Sequence, residues 1–149
     1  LQPATAILTA ANADEHIARK RSTKIVVRVH GQLITIRDQK PLHRGNITFE
    51  DGWSFEDLLR CLNGRVFFWP GTEAGPISYG TRHFERYEDE NPTIVRVRTQ
   101  ELLACNPSMA PEFCRFNSGS PRCTGGTGSP RGPQTFSHAT RLHSARVRS

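Results

Sequence analysis

Ile25-Val26-Val27-Arg28-Val29, then His30-Gly31, then Leu33-Ile34-Thr35-Ile36 is the stretch on which the fold turns. Both runs are dense in β-branched residues, whose restricted side chains suit a pleated surface. Gly31 supplies backbone freedom between them, so the segment reads as a hairpin or as one bent strand.

On its N-terminal side, residues 4 to 20 are alanine-rich, with Ile7, Leu8, Ala11 and Ile17 loosely on one face. That spacing predicts a helix, with Arg19-Lys20-Arg21 suiting the negative pole at its C-terminus. On the other side, Arg37-Asp38-Gln39-Lys40-Pro41-Leu42 leaves the strand and stops at a proline. Ser54 followed by Asp57 has the form of a capping box and predicts a helix over 55–62, ended by Asn63-Gly64. Arg65-Val66-Phe67-Phe68-Trp69 reads as a buried strand, with Trp53, Trp69, Phe67 and Phe68 as core. Residues 76 to 88 read as a helix with Pro76 in its first turn. Thr93-Ile94-Val95-Arg96-Val97-Arg98 alternates like a strand, and Thr99 caps a short helix through Leu103. Short strands and short helices without a βαβ rhythm predict an α+β fold with small mixed or antiparallel sheets.

The 149 residues match one domain. The chain starts at Leu1, not Met, and ends in an alternating Ala145-Arg146-Val147-Arg148-Ser149, so it reads as a fragment truncated at both ends. Nothing approaches the roughly 18 apolar residues of a membrane span, and a soluble, cytoplasmic chain is expected. Cys61, Cys105, Cys114 and Cys123 lack both the density of a disulfide scaffold and the close pairing of a zinc site. Reduced thiols and no metal are expected.

Charge is unevenly placed. Residues 1 to 112 carry three Lys and eleven Arg against fourteen acids, whereas residues 113 to 149 carry six arginines and no acid. Guanidinium groups suit phosphate, and a one-sign segment attracts polyanions, so nucleic acid or a phosphate-bearing ligand is the expected partner class. A solvated basic tail explains the same charge equally well. Residues 106 to 134 hold five of the ten prolines and five of the twelve glycines, and read as a long loop within the domain.

Few motifs carry chemistry. Gly125-Gly126-Thr127-Gly128 lacks the Gly-Lys-Ser/Thr ending of a Walker loop and reads as linker. Asn117-Ser118-Gly119-Ser120-Pro121-Arg122 is a turn whose amides, with Arg115 and Arg122, suit a diphosphate, although an ordinary surface turn has the same composition. None of the six histidines stands at a catalytic spacing from Ser, Cys or Asp, and no hydrolase triad assembles.

Leu1-Gln2-Pro3, Arg37-Asp38-Gln39-Lys40-Pro41-Leu42, Arg65-Val66-Phe67-Phe68-Trp69-Pro70, Asn117-Ser118-Gly119 and Arg131-Gly132-Pro133-Gln134-Thr135-Phe136 together resemble an uncharacterised bacterial domain family. That family is similar to DarT-type ADP-ribosyltransferases, which use NAD and modify nucleic acid. The resemblance implies an α+β fold with NAD in a cleft between two small sheets, and an enzyme of toxin or defence type acting on a nucleic-acid or protein acceptor. Carried over residue by residue, it implies Arg37 and Asp38 at a cleft-facing strand end, Tyr79 stacking on nicotinamide, and Asn117, Ser118 and Arg122 near the phosphates. Such enzymes place a glutamate on a late strand, aimed at charge that develops in the transition state. This sequence has no Asp or Glu after Glu112, so the expected glutamate lies beyond Ser149 or the domain does not catalyse. Pro70-Gly71-Thr72-Glu73 also departs from the Arg-x-x-Pro-Met-like element of those enzymes. The alternatives are a non-catalytic basic nucleic-acid-binding module or a structural domain.

Overall fold

The computed structural model describes residues 1–114, 121–123 and 125–138. They form a mixed α and β structure of short helices and two-stranded sheets, arranged as two compact units. One unit is Leu1–Val66 with the described part of Pro111–Ser149; the other is Phe67–Ala110.

The first unit opens with helix α1 (Ala4–Ala10), much shorter than the helix expected over residues 4 to 20. Asn12 adopts φ 54°, Ala13 N–H donates to Leu8 C=O at 2.9 Å and Asn12 N–H donates to Thr9 C=O at 3.0 Å. This is a Schellman closure with asparagine in the left-handed position. A short 3₁₀ turn, Asp14–His16, follows, and Arg19-Lys20-Arg21 lies in a loop, not at a helix end.

Strands β1 (Ile25–Val29) and β2 (Gln32–Ile36) pair antiparallel, Ile25 opposite Ile36 and Val29 opposite Gln32. The expected hairpin is therefore present. His30 and Gly31 have φ 48° and 81°, the two positive values that a type I′ connection needs to match strand twist.

Strand β3 (Ile47–Phe49) leads into helix α2 (Phe55–Asn63). The expected capping box is complete: Asp57 N–H donates to Ser54 Oγ at 3.1 Å and Ser54 N–H donates to Asp57 Oδ2 at 2.9 Å. Leu58 and Leu59 of α2 are buried with Leu42, and Ile47, Phe49, Trp53, Phe55 and Leu62 pack around them. This is the apolar centre of the unit.

The Gly/Pro-rich stretch contributes strands to the same unit. Strand β7 (Ser129–Arg131) pairs parallel with β3, and β6 (Glu112–Phe113) pairs antiparallel with β8 (Ser137–His138). A Cβ at Gly128 would sit 2.8 Å from the Ile47 carbonyl carbon and the Thr48 nitrogen, so glycine permits the close approach of the parallel pair. Arg65 Nε lies 2.7 Å from Glu112 Oε2, and its guanidinium covers the Phe136 ring at 4.6 Å.

The second unit contains the β4–β5 pair (Gly71–Thr72 and Gly75–Pro76), helix α3 (Ser78–Glu85) and helix α4 (Thr99–Ala104). Pro76 belongs to β5 and not to the helix that follows. Arg98, not Thr99, is the N-cap of α4.

Two expected strands do not form. Residues 65 to 69 and 93 to 98 run without regular secondary structure, and Phe67, Phe68 and Trp69 are exposed instead of forming core. Their β-branched and aromatic content describes a good fit to a half-buried pleated surface, and a ladder forms only where a neighbouring strand supplies that surface. Among the described residues no helix is long and apolar enough to cross a membrane.

Candidate anion-binding site

The most chemically distinctive feature of the first unit is the loop between the 3₁₀ turn and β1. His16, Arg19, Lys20, Arg21, Ser22, Thr23 and Ile25 line a cavity of about 220 Å³. The lining residues include two arginines, a lysine, a histidine, a serine and a threonine and no acid, with the Glu15 carboxylate 3.6 Å from His16 Nε2 at its edge.

The loop owes its shape to Arg21, which is 7% exposed. Its Nε donates to Arg37 C=O at 3.0 Å and its NH2 to Asn63 Oδ1 at 3.0 Å, with a longer contact from NH1 to His16 C=O at 3.5 Å. Asn63, 3% exposed at the end of α2, also donates from Nδ2 to Ile17 C=O at 2.8 Å. Gln39 completes the lock. It accepts from Arg21 N–H at 3.1 Å, donates from Nε2 to Asn63 Oδ1 at 3.2 Å, and its own N–H donates to Arg21 C=O at 2.8 Å.

These acceptors of the Arg21 guanidinium are uncharged, so dipoles solvate its charge. Burial pushes its pKa below the ordinary arginine value, and the nearby Asp38 charge acts in the opposite direction. Arg21 thus fixes the loop, and the exposed Arg19, Ser22 and Thr23 with half-buried His16 and Lys20 are the groups able to meet a ligand. Such a cradle matches phosphate, which takes charge-assisted bonds from cations together with bonds from hydroxyls.

The cations continue into the hairpin. Residues 16 to 37 contain Arg19, Lys20, Arg21, Lys24, Arg28 and Arg37 and no acid. This run is legible in the sequence as a local excess. It escapes notice when charge is summed over residues 1 to 112, where fourteen acids cancel it.

Of the residues expected at a ligand site, Arg37 and Asp38 are half-buried at the end of β2, beside the lock: the Arg37 carbonyl accepts from Arg21. The Asp38 carboxylate accepts from Lys40 N–H at 3.1 Å. Tyr79 is exposed on α3 in the second unit, with the Arg82 guanidinium 5.7 Å from its ring centre. Arg122 is exposed on the segment held by a bond from Asn46 Nδ2 to Pro121 C=O at 3.1 Å, and it is not among the cavity-lining residues. Asn117 and Ser118 lie outside the described residues. Arg131, expected in a solvated basic segment, is 1% exposed; its NH1 donates to Ser129 Oγ and to Pro130 C=O, both at 2.7 Å. Its burial removes it from the surface available to a polyanion.

Cys61 and Cys114 are half-buried cysteines of this unit, and Arg65 NH1 stands 2.9 Å from Cys61 Sγ. Burial raises the Cys61 pKa, the Arg65 charge opposing it. Among the described residues no group of three or more His, Cys, Asp or Glu side chains is placed to hold a metal ion.

The model of a family of unknown function, DUF7002, matches residues 1–149. The chain belongs to this family. No curated protein and no solved structure matches the chain. The match spans both units of this DUF7002 domain, so the basic loop, its lock and the hairpin all lie within the family's domain.

Proposed function

We propose that this domain is a non-catalytic nucleic-acid-binding module that grips backbone phosphate at the basic loop. The observation that supports the reading is the cavity lined by His16, Arg19, Lys20, Arg21, Ser22 and Thr23, none of them acidic. At about 220 Å³ it lies below the roughly 300–1,000 Å³ typical of sites that enclose a whole small molecule. It suits a phosphate group presented by a larger ligand. Neutralising phosphates releases counterions, so affinity must fall as salt rises. Fluorescence anisotropy with labelled DNA and RNA, repeated across salt concentrations, tests this. Arg19→Ala with Lys20→Ala is expected to weaken binding and reduce the salt slope by about two, one per lost phosphate contact. Absence of binding at low salt, or binding indifferent to salt, rejects the reading.

A second reading is NAD-dependent ADP-ribosyl transfer, supported by the sequence resemblance and by the position of Arg37 and Asp38 beside the lock. The cavity suits the diphosphate of NAD but is too small for the dinucleotide, and no Phe, Tyr or Trp lines it to take a base. Glu112, the last acid of this sequence, is paired with Arg65. Calorimetric titration of NAD separates the readings: saturable binding lost in the Arg19→Ala, Lys20→Ala variant supports it, and no heat at millimolar NAD rejects it.

A further inference from the structure

The β1–β2 hairpin is a two-stranded sheet, with no third strand added among the described residues. Its two faces differ. Ile25, Val27, Val29, Ile34 and Ile36 are buried or half-buried, whereas Val26, Arg28, Leu33 and Thr35 are exposed. Register places Val26 opposite Thr35 and Arg28 opposite Leu33, so these four side chains form one outward patch. Val26 and Leu33 are 60% and 66% exposed, and Arg28 reaches over the turn, donating from NH1 to Gly31 C=O at 3.2 Å. The patch is apolar at its centre and lies in the acid-free run of residues 16 to 37.

We infer that this ribbon reads double-stranded B-form DNA, entering the major groove with Val26, Arg28, Leu33 and Thr35 toward the base edges while the basic loop holds a flanking phosphate. The inference rests on the nucleic-acid reading above and assigns it a target. A B-DNA major groove, about 12 Å wide, admits a two-stranded ribbon whose backbones are about 5 Å apart. The A-form groove of duplex RNA is too deep and narrow for side chains to read. The chemistry of the patch fits base edges: apolar side chains meet the thymine methyl, an arginine meets guanine O6 and N7, and a threonine hydroxyl serves either sense of bond. The basic loop runs directly into β1, so a phosphate held there sets the depth and register of the ribbon, as backbone contacts do in DNA complexes generally.

The test uses the full chain with one sequence presented as duplex DNA, duplex RNA and single-stranded DNA, and with inorganic pyrophosphate as a probe of the loop alone. The expected result is preference for duplex DNA, and competition by a major-groove dye but not by a minor-groove drug. Arg28→Ala with Leu33→Ser is expected to weaken duplex DNA binding at least about tenfold and to leave pyrophosphate binding unchanged. Val26→Thr, which keeps strand propensity, is expected to give a smaller loss with an unchanged circular dichroism spectrum. Equal affinity for all three nucleic acids, or full binding by a folded Arg28→Ala, Leu33→Ser variant, overturns the inference and leaves the phosphate reading standing. Failure of every nucleic acid to bind removes both.

Discussion

Asn63 is the side chain from which the basic loop hangs. Its amide joins Ile17 and Arg21 of the loop before β1 to Gln39 beyond β2. Asn63→Ala leaves the buried Arg21 guanidinium short of one acceptor, at an expected cost of about 2–3 kcal/mol. Urea denaturation measures that loss, and the same variant should bind pyrophosphate more weakly because the loop is no longer held. The four thiols provide a second check. Cys105 and Cys123 are exposed, whereas Cys61 is half-buried with a raised pKa. Only the thiolate is nucleophilic. Iodoacetamide at mildly alkaline pH should therefore label Cys105 and Cys123 well before Cys61, as peptide mass spectrometry would show.

At the scale of the element, α2 carries a pH signature. The Ser54 hydroxyl and then the Ser54 backbone amide hold the Asp57 pKa below its ordinary value near 3.8. A carboxylate with a depressed folded pKa contributes stability above its unfolded pKa, and that contribution fades as pH falls through the folded value. The stability difference between the native chain and Asp57→Asn should be constant near neutrality and shrink below about pH 4. Denaturation midpoints across that range measure it, and a difference that grows on acidification would contradict the capping box. Removing the cap hydroxyl by Ser54→Ala should cost about 1 kcal/mol. This helix and the β1–β2 hairpin were legible in advance because their signals are local: a cap four residues long, and a period-two pattern broken by a two-residue turn. Residues 93 to 98 carry an equally clear alternation and form no strand, since alternation states a preference for a neighbour and does not supply one.

The whole molecule is unevenly packed. The first unit buries Leu8, Ile36, Leu42, Leu58, Leu59 and Phe136, while in residues 67 to 110 Gly80 alone is buried. Backbone amides without a packed apolar layer open more readily. Hydrogen exchange should therefore protect α2 most strongly and α3 and α4 least, and slow exchange throughout residues 78 to 104 would contradict this ranking. The same unevenness bears on the partner. The arginine-only third suggested a basic tail, but Arg131 is interior, and a run of cations uninterrupted by acid lies instead in the loop and hairpin of residues 16 to 37.

Composition and short-range pattern determined the α+β class, the hairpin, the capped helix and the local runs of arginine. Each depends on residues within a few positions of one another, where propensity and hydrogen-bonding geometry act directly. Tertiary structure decided which of those arginines are interior and which face outward, and where the basic loop closes into a cavity. That depends on contacts such as Asn63 with Ile17, 46 residues apart, whose formation requires the chain to have folded around them.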